Sequence, residues 1–346
     1  MNHSDASQKV VTVYLDQNVL TELRPRKWIK QINPYSVLLY TLKHSNAVVS
    51  ASNTTIDEIL QIPRQAYVDE HVQILRAIGF YYLKPDQDQD QYLKGEDVDR
   101  FFEEYADNQK SNSVSPMDTA IRNWDRALRK HLGLEIEETY SHLVGEIFTA
   151  IRETLKQVML PEQLLLLRPI LDLDRSAVES MVQAWFEENP GFEEGSNQLE
   201  RLGRKVADPD ELRKLPSDRV VSTIFERIGF SEETVSHLIA TNPELNSWDL
   251  KLALPFFILN IVGYRADDFR KVTEKKDRFR SSQNDYRHLC SARHSHYLVT
   301  DDTRFLDKAR AIYTWAGVST RVVSTEEFLQ SCLPFAVESL LEANDS

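Results

Sequence analysis

The chain has 346 residues, 41% of them hydrophobic and 27% charged, which is enough apolar material to bury a substantial core in one large domain or two. Two cysteines, Cys290 and Cys332, exclude a disulfide framework, and the longest apolar stretch, Leu252 to Tyr264, is too short to span a bilayer and contains a proline. A net charge of -13 excludes a generally basic nucleic-acid binder, so any contact with phosphate must be local.

In chain order, the first element is Val11-Thr12-Val13-Tyr14-Leu15, a β-branched run that alternates poorly and so predicts a buried parallel strand. Asp16 closes it, and Asn18 and an apolar helix follow. Ala47-Val48-Val49-Ser50-Ala51 predicts a second strand, with Glu58 in the helix beyond. Asp86 to Gln91 reads as a polar hinge, and the chain from there to about Ile261 reads as almost wholly helical. Within it, Lys110 to Ser113 predicts a loop, and Ser115, Pro116 and Asp118 carry the signals of a helix start. Leu143, Val144, Ile147, Phe148, Ile151, Leu155 and Val158 fall on one helical face. Further helices are expected over Arg175 to Phe186, Gln198 to Val206, Arg219 to Ile228, Glu232 to Ala240 and Leu250 to Val262. Asp285 then begins a helix that leads into the strand Tyr297-Leu298-Val299-Thr300, and Asp302 opens the helix after it. Thr320 to Leu329 supplies a last strand and a capped final helix.

Four acids, Asp16, Glu58, Asp285 and Asp302, thus stand just past strand-like runs or early in helices. In open α/β sheets the carboxyl ends of parallel strands line one crevice, so these acids are expected to face one mouth. Each also has a plainer reading. Thr55-x-x-Glu58 and Ser282-x-x-Asp285 fit capping boxes, and Asp16 and Asp302 are good N-caps. Asp172-x-Asp174 is better explained by helix capping than by phosphatase chemistry, and His294 and His296 are two apart, a spacing that puts them on different helical faces.

Four stretches together resemble the PIN-like nuclease domain. They are Val13 to Leu20 with Asp16, Val49 to Leu60 with Glu58, Asn284 to Ala292 with Asp285, and Leu298 to Phe305. In the last, Thr300 and Asp302 take the positions of the family's T-x-D pattern, with Asp301 as the variable middle residue. The resemblance covers roughly the first and last quarters of the chain. It departs from the family where most of the protein separates Glu58 from Asp285, which implies a large insertion. The fold it implies is an α/β, PIN-like parallel sheet flanked by helices and interrupted by an all-helical insertion subdomain. The domains would be residues 1–85 (PIN-like, first part), 86–261 (insertion) and 262–346 (PIN-like, second part).

The same chemistry follows from charge. Two carboxylates about 4 Å apart repel by about 4 kcal/mol at an effective dielectric near 20, so a cluster of acids calls for a cation. Mg²⁺ or Mn²⁺ suits oxygen ligands and phosphate substrates. Asp16 and Asp302 are expected as main ligands, Asp285 as a direct or water-mediated ligand, and Glu58 as a ligand or as base to the attacking water. Thr300 would hold a metal water or phosphate, or only backbone, and Asn18 would orient Asp16. Asp57 and Asp301 are expected to point elsewhere. Arg278, Arg280 and Arg287 lie nearest Asp285 among a run of basic residues and are the candidates for phosphate contact. The expected function is metal-dependent phosphodiester hydrolysis, with RNA preferred to DNA on the strength of the resemblance, in a toxin or phage-defence role. A non-catalytic PIN-like protein-binding module and a small-molecule phosphohydrolase are the alternatives. The insertion would meet a protein partner or a second copy of the chain. No membrane association is expected, and the expected location is the cytoplasm.

Overall fold

The computed structural model of the chain describes residues 10–24, 33–83, 91–111, 137–158, 172–188, 209–227, 248–266 and 278–331, with a few isolated positions between 119 and 130. The main elements run β1 (Val11–Leu15), α1 (Gln17–Glu22), α2 (Pro34–His44), β2 (Ala47–Ser52), α3 (Asn53–Leu60), α4 (Gln65–Ile78), β3 (Phe80–Leu83) and β4 (Gln91–Leu93). They continue with α5 (Glu96–Ser111), α6 (Tyr140–Val158), α7 (Arg175–Glu188), α8 (Ser217–Arg227), α9 (Trp248–Ile261), α10 (Arg278–Ala292), β5 (Tyr297–Val299), α11 (Thr303–Ala316) and β6 (Arg321–Val323). A short helix over 325–331 follows.

The protein is α/β, with a six-stranded sheet in the order β4-β3-β2-β1-β5-β6. All neighbouring pairs are parallel except β3 with β4, so the sheet is mixed where an all-parallel one was expected. Strands β3 and β4 are additions to the sequence reading. Gly79 makes the first of them possible: it ends α4 at φ 71°, and a Cβ there would collide with Tyr92 of β4.

Both faces of the sheet are covered, which is why its strands read as unbroken apolar runs. Along β1 the side chains alternate. Val13 and Leu15 enter one core with Leu38, Ile56, Leu75 and Phe102, from α2, α3, α4 and α5. Tyr14 enters the other with Ile224, Phe256, Leu289 and Phe305, from α8, α9, α10 and α11. Val13, Tyr14 and Leu15 are all fully buried, each worth roughly 1.5–3 kcal/mol on transfer from water.

The chain forms two compact units that cut it differently from the expected boundaries. The first comprises Met1–Asp107, Val206–Ala266 and Arg280–Ser346; the second comprises Asn108–Lys205 and Asp267–Phe279. Residues 86–107 and 206–261 thus belong with the sheet. The reason is packing, because Val98 and Phe102 of α5 complete one core while α8 and α9 lie against α11 in the other. In the second unit α6 packs on α7, joined by the ion pair of Arg175 with Glu146 and by a hydrogen bond from Arg152 to the Leu173 carbonyl, while Arg175 also pairs with Glu179 of its own helix.

Helices observed over 140–158, 175–188, 217–227 and 248–261 match four sequence expectations to within a few residues. The helix start at Ser115 and the helices over Gln198 to Val206 and Glu232 to Ala240 lie outside the described residues. Asp285 does not begin its helix, since α10 starts seven residues earlier at Arg278. Among the described residues no helix is long and apolar enough to cross a membrane.

Candidate functional site

The chain enters the sheet at β1, builds outward through β2, β3 and β4, then returns to place β5 on the other side of β1. This reversal is a topological switch point, where α/β sheets open a crevice beyond their carboxyl ends. Asp16 stands there. Its amide donates to the Val299 carbonyl (3.0 Å), the last sheet bond between the two strands, and its side chain turns inward instead of capping α1. The carboxylate is 4% exposed and accepts from the Thr300 hydroxyl (2.8 Å) and the Asn18 amide (3.3 Å). Burial pushes its pKa up, and the Glu58 charge adds to the effect. Charge on His288 and the Thr300 bond pull the other way.

Thr300 ties two of the expected acids together. It is fully buried at the end of β5, and its oxygen accepts from the Asp302 amide (3.2 Å) while its hydroxyl serves Asp16. The backbone contact was one of its expected roles, and the bond to the Asp16 carboxylate is an addition to the sequence reading. Asp302 itself is the N-cap of α11, with Oδ1 accepting from the amides of Arg304 (2.8 Å) and Phe305 (3.1 Å). Its plainer reading is therefore realised.

Glu58 lies mid-helix in α3, clear of any capping position, because Ser52 caps that helix and its amide donates to Thr55. Each Glu58 oxygen accepts from α10: Oε1 from the Asn284 side chain (2.7 Å), Oε2 from His288 Nε2 (2.8 Å). Asn284 and His288 are four residues apart and share one helical face. The other His288 nitrogen, Nδ1, meets the Tyr14 hydroxyl at 2.7 Å, and that hydroxyl also bonds Ser52 (2.8 Å) and Thr55 (3.0 Å). Burial would lower the His288 pKa, yet Tyr14, the Glu58 hydrogen bond and charge, and Asp16 together hold it well above the usual histidine value. The buried imidazole thus bridges the Glu58 carboxylate on one nitrogen and the Tyr14 phenol on the other.

Sequence reading missed Tyr14, Asn284 and His288. The one available signal was the four-residue spacing of Asn284 and His288 around Asp285. Asp285 itself is half-buried on α10 beside Asn284, and Arg287 is exposed two residues on. Arg278 and Arg280 open that helix, with side chains outside the described residues. Asp301 turns away from the site, accepting from the amide (2.9 Å) and hydroxyl (2.7 Å) of Thr325 and from Tyr35 (3.1 Å), whose phenol is pushed up to about 12 by burial and by Asp301. Asp57 also leaves it, toward Tyr105 (2.9 Å). Asp174 caps α7 through the Ala177 amide (2.7 Å), and the exposed His296 bonds Thr12 across β1 and β5.

Among the described residues no three His, Cys, Asp or Glu side chains form a ready cage for a metal ion. Mg²⁺ asks for less: one or two carboxylates, water and substrate phosphate. Asp16 fits that demand, since a buried acid with an up-shifted pKa gains most from a nearby cation. Comparison with family models, curated proteins and solved structures gave no match to this chain.

Proposed function

We propose that the crevice at the ends of β1 and β5 binds a divalent metal ion and hydrolyses phosphodiester bonds, with RNA the preferred substrate, as in the PIN-like nucleases the sequence resembles. The observation that carries this reading is Asp16, a carboxylate kept buried at the switch point although burial and a neighbouring acid disfavour its charge. Acids disfavoured in this way concentrate where a cation or a reacting group meets them. Asp16 and Asp302, which the Thr300 oxygen links through its bonds to the Asp16 carboxylate and the Asp302 amide, would hold the ion, with Asp285 contributing directly or through water. A bound Mg²⁺ or Mn²⁺ would polarise the phosphoryl oxygen and ready a water for attack. Asn18 and Thr300 orient Asp16, and Arg287, exposed on α10, would meet phosphate.

The test is incubation of purified protein with single-stranded and duplex RNA and DNA, with Mg²⁺ or Mn²⁺ and then with chelator. Metal-dependent cutting that Asp16→Asn abolishes supports the reading, and turnover of free nucleotides with polynucleotides left intact would move it to a small-molecule phosphohydrolase. A non-catalytic binding module draws support from Asp302 serving as a helix cap and from the acidic charge; absence of any cutting would favour it. For the toxin or defence role, expression of the intact protein should slow growth while Asp16→Asn does not.

A further inference from the structure

The proposed centre contains a buried side chain that its metal chemistry does not explain, His288. Glu58 comes from the helix after β2, yet both of its oxygens are occupied by α10, at 2.7 Å from Asn284 and 2.8 Å from His288. His288 is in turn fixed from behind by Tyr14, at 2.7 Å, and the Tyr14 hydroxyl is braced by Ser52 and Thr55. The His288 side chain is 1% exposed, while that of Glu58 keeps 20%. The Glu58 carboxylate is therefore held by α10 while part of its surface stays exposed.

We infer that His288 is a positioning residue that, with Asn284 and Tyr14, holds Glu58 out of metal coordination and aims it at the attacking water. This rests on the hydrolytic reading above. A carboxylate whose two oxygens are both held by N–H donors of one helix cannot turn to chelate an ion through both oxygens without breaking a bond, while each oxygen retains a lone pair for a water proton. In the step, Glu58 takes a proton from water, the water oxygen bonds phosphorus, the P–O bond to the leaving group breaks, and the leaving oxygen is protonated from solvent. An orienting partner of this kind typically commands 10–100-fold in activity.

The test separates metal binding from turnover. Mn²⁺ binding, followed by the electron paramagnetic resonance of the free ion, should change less than about threefold in Glu58→Gln and His288→Leu and be lost in Asp16→Asn, as expected if only the last touches the ion. RNA cleavage by His288→Leu should lose kcat by about 10–100-fold with KM unmoved, and His288→Gln, which can still donate to Glu58, should recover most of it. Asn284→Ala gives a milder version of the same loss should His288→Leu not fold. A fall in Mn²⁺ affinity beyond about tenfold in Glu58→Gln would make Glu58 a ligand and overturn the inference. So would folded His288→Leu with the kcat of the parent. If the parent protein neither binds Mn²⁺ nor cleaves, the hydrolytic reading itself falls and takes this inference with it.

Discussion

Replacing His288 with leucine should destabilise the protein by about 3 kcal/mol, and the size follows from what the imidazole touches. Loss of one partner from a buried ion pair costs ~3–5 kcal/mol because the other charge stays behind. Glu58 is 20% exposed and keeps its bond from Asn284, so the lower end of that range applies. The leucine also strands the Tyr14 hydroxyl on one side, although Ser52 and Thr55 still engage it. For a unit of this size, ~2–4 °C per kcal/mol gives a fall in melting temperature of about 6–12 °C. Thermal unfolding followed by circular dichroism at several pH values reads it. The sign with pH is fixed by the raised His288 pKa: its stabilisation is fully present below the unfolded value near 6.5 and is lost as pH rises through the higher folded value. The gap between parent and His288→Leu should therefore narrow in alkali. A gap that is constant with pH, or a variant as stable as the parent, would refute the picture of a buried imidazolium.

Asp16→Asn should raise stability at neutral pH while removing activity, because a carboxyl with a raised pKa stabilises the fold only while protonated and loses that contribution as pH rises through its folded value; thermal melts at pH 7 that show destabilisation would contradict this. Asp302→Ala should cost about 1 kcal/mol through loss of the α11 cap, whereas Asp302→Ser keeps the cap. If the Asp302 carboxylate binds metal, Asp302→Ser should melt like the parent and yet fail to cleave. Saturating Mn²⁺, at about 100 times its dissociation constant, should stabilise the parent by about 2.7 kcal/mol and leave Asp16→Asn unmoved, as differential scanning calorimetry would record. Tyr14→Phe should cost about 1–3 kcal/mol by leaving buried polar partners unmet, measured by urea denaturation.

Those parts of the architecture that depend on local pattern were legible in the chain. Val11 to Leu15 reads as a buried strand because both faces of the sheet are covered, and Asp16 and Thr300 mark the carboxyl ends of neighbouring strands. The edge of the sheet was not legible. β4 is three residues long with two exposed, and it pairs antiparallel through a turn signal lost among the alternating Asp and Gln before it. The compact units divide the chain elsewhere than the expected insertion boundaries, and an amphipathic helix such as α5 does not announce which core it will enter. His288 was invisible because its significance lies in Glu58, 230 residues earlier. A histidine on a polar helix carries no local mark of burial, and only the tertiary fold brings the Glu58 carboxylate and the Tyr14 hydroxyl to it.

The most direct measurement is diffraction from crystals grown with Mn²⁺, recording anomalous scattering at the metal edge. A peak against the Asp16 carboxylate at the ends of β1 and β5, with Glu58 still bonded to Asn284 and His288, is the expected result. Crystals that hold Mn²⁺ elsewhere, or none at saturating concentration, would contradict a metal centre at Asp16.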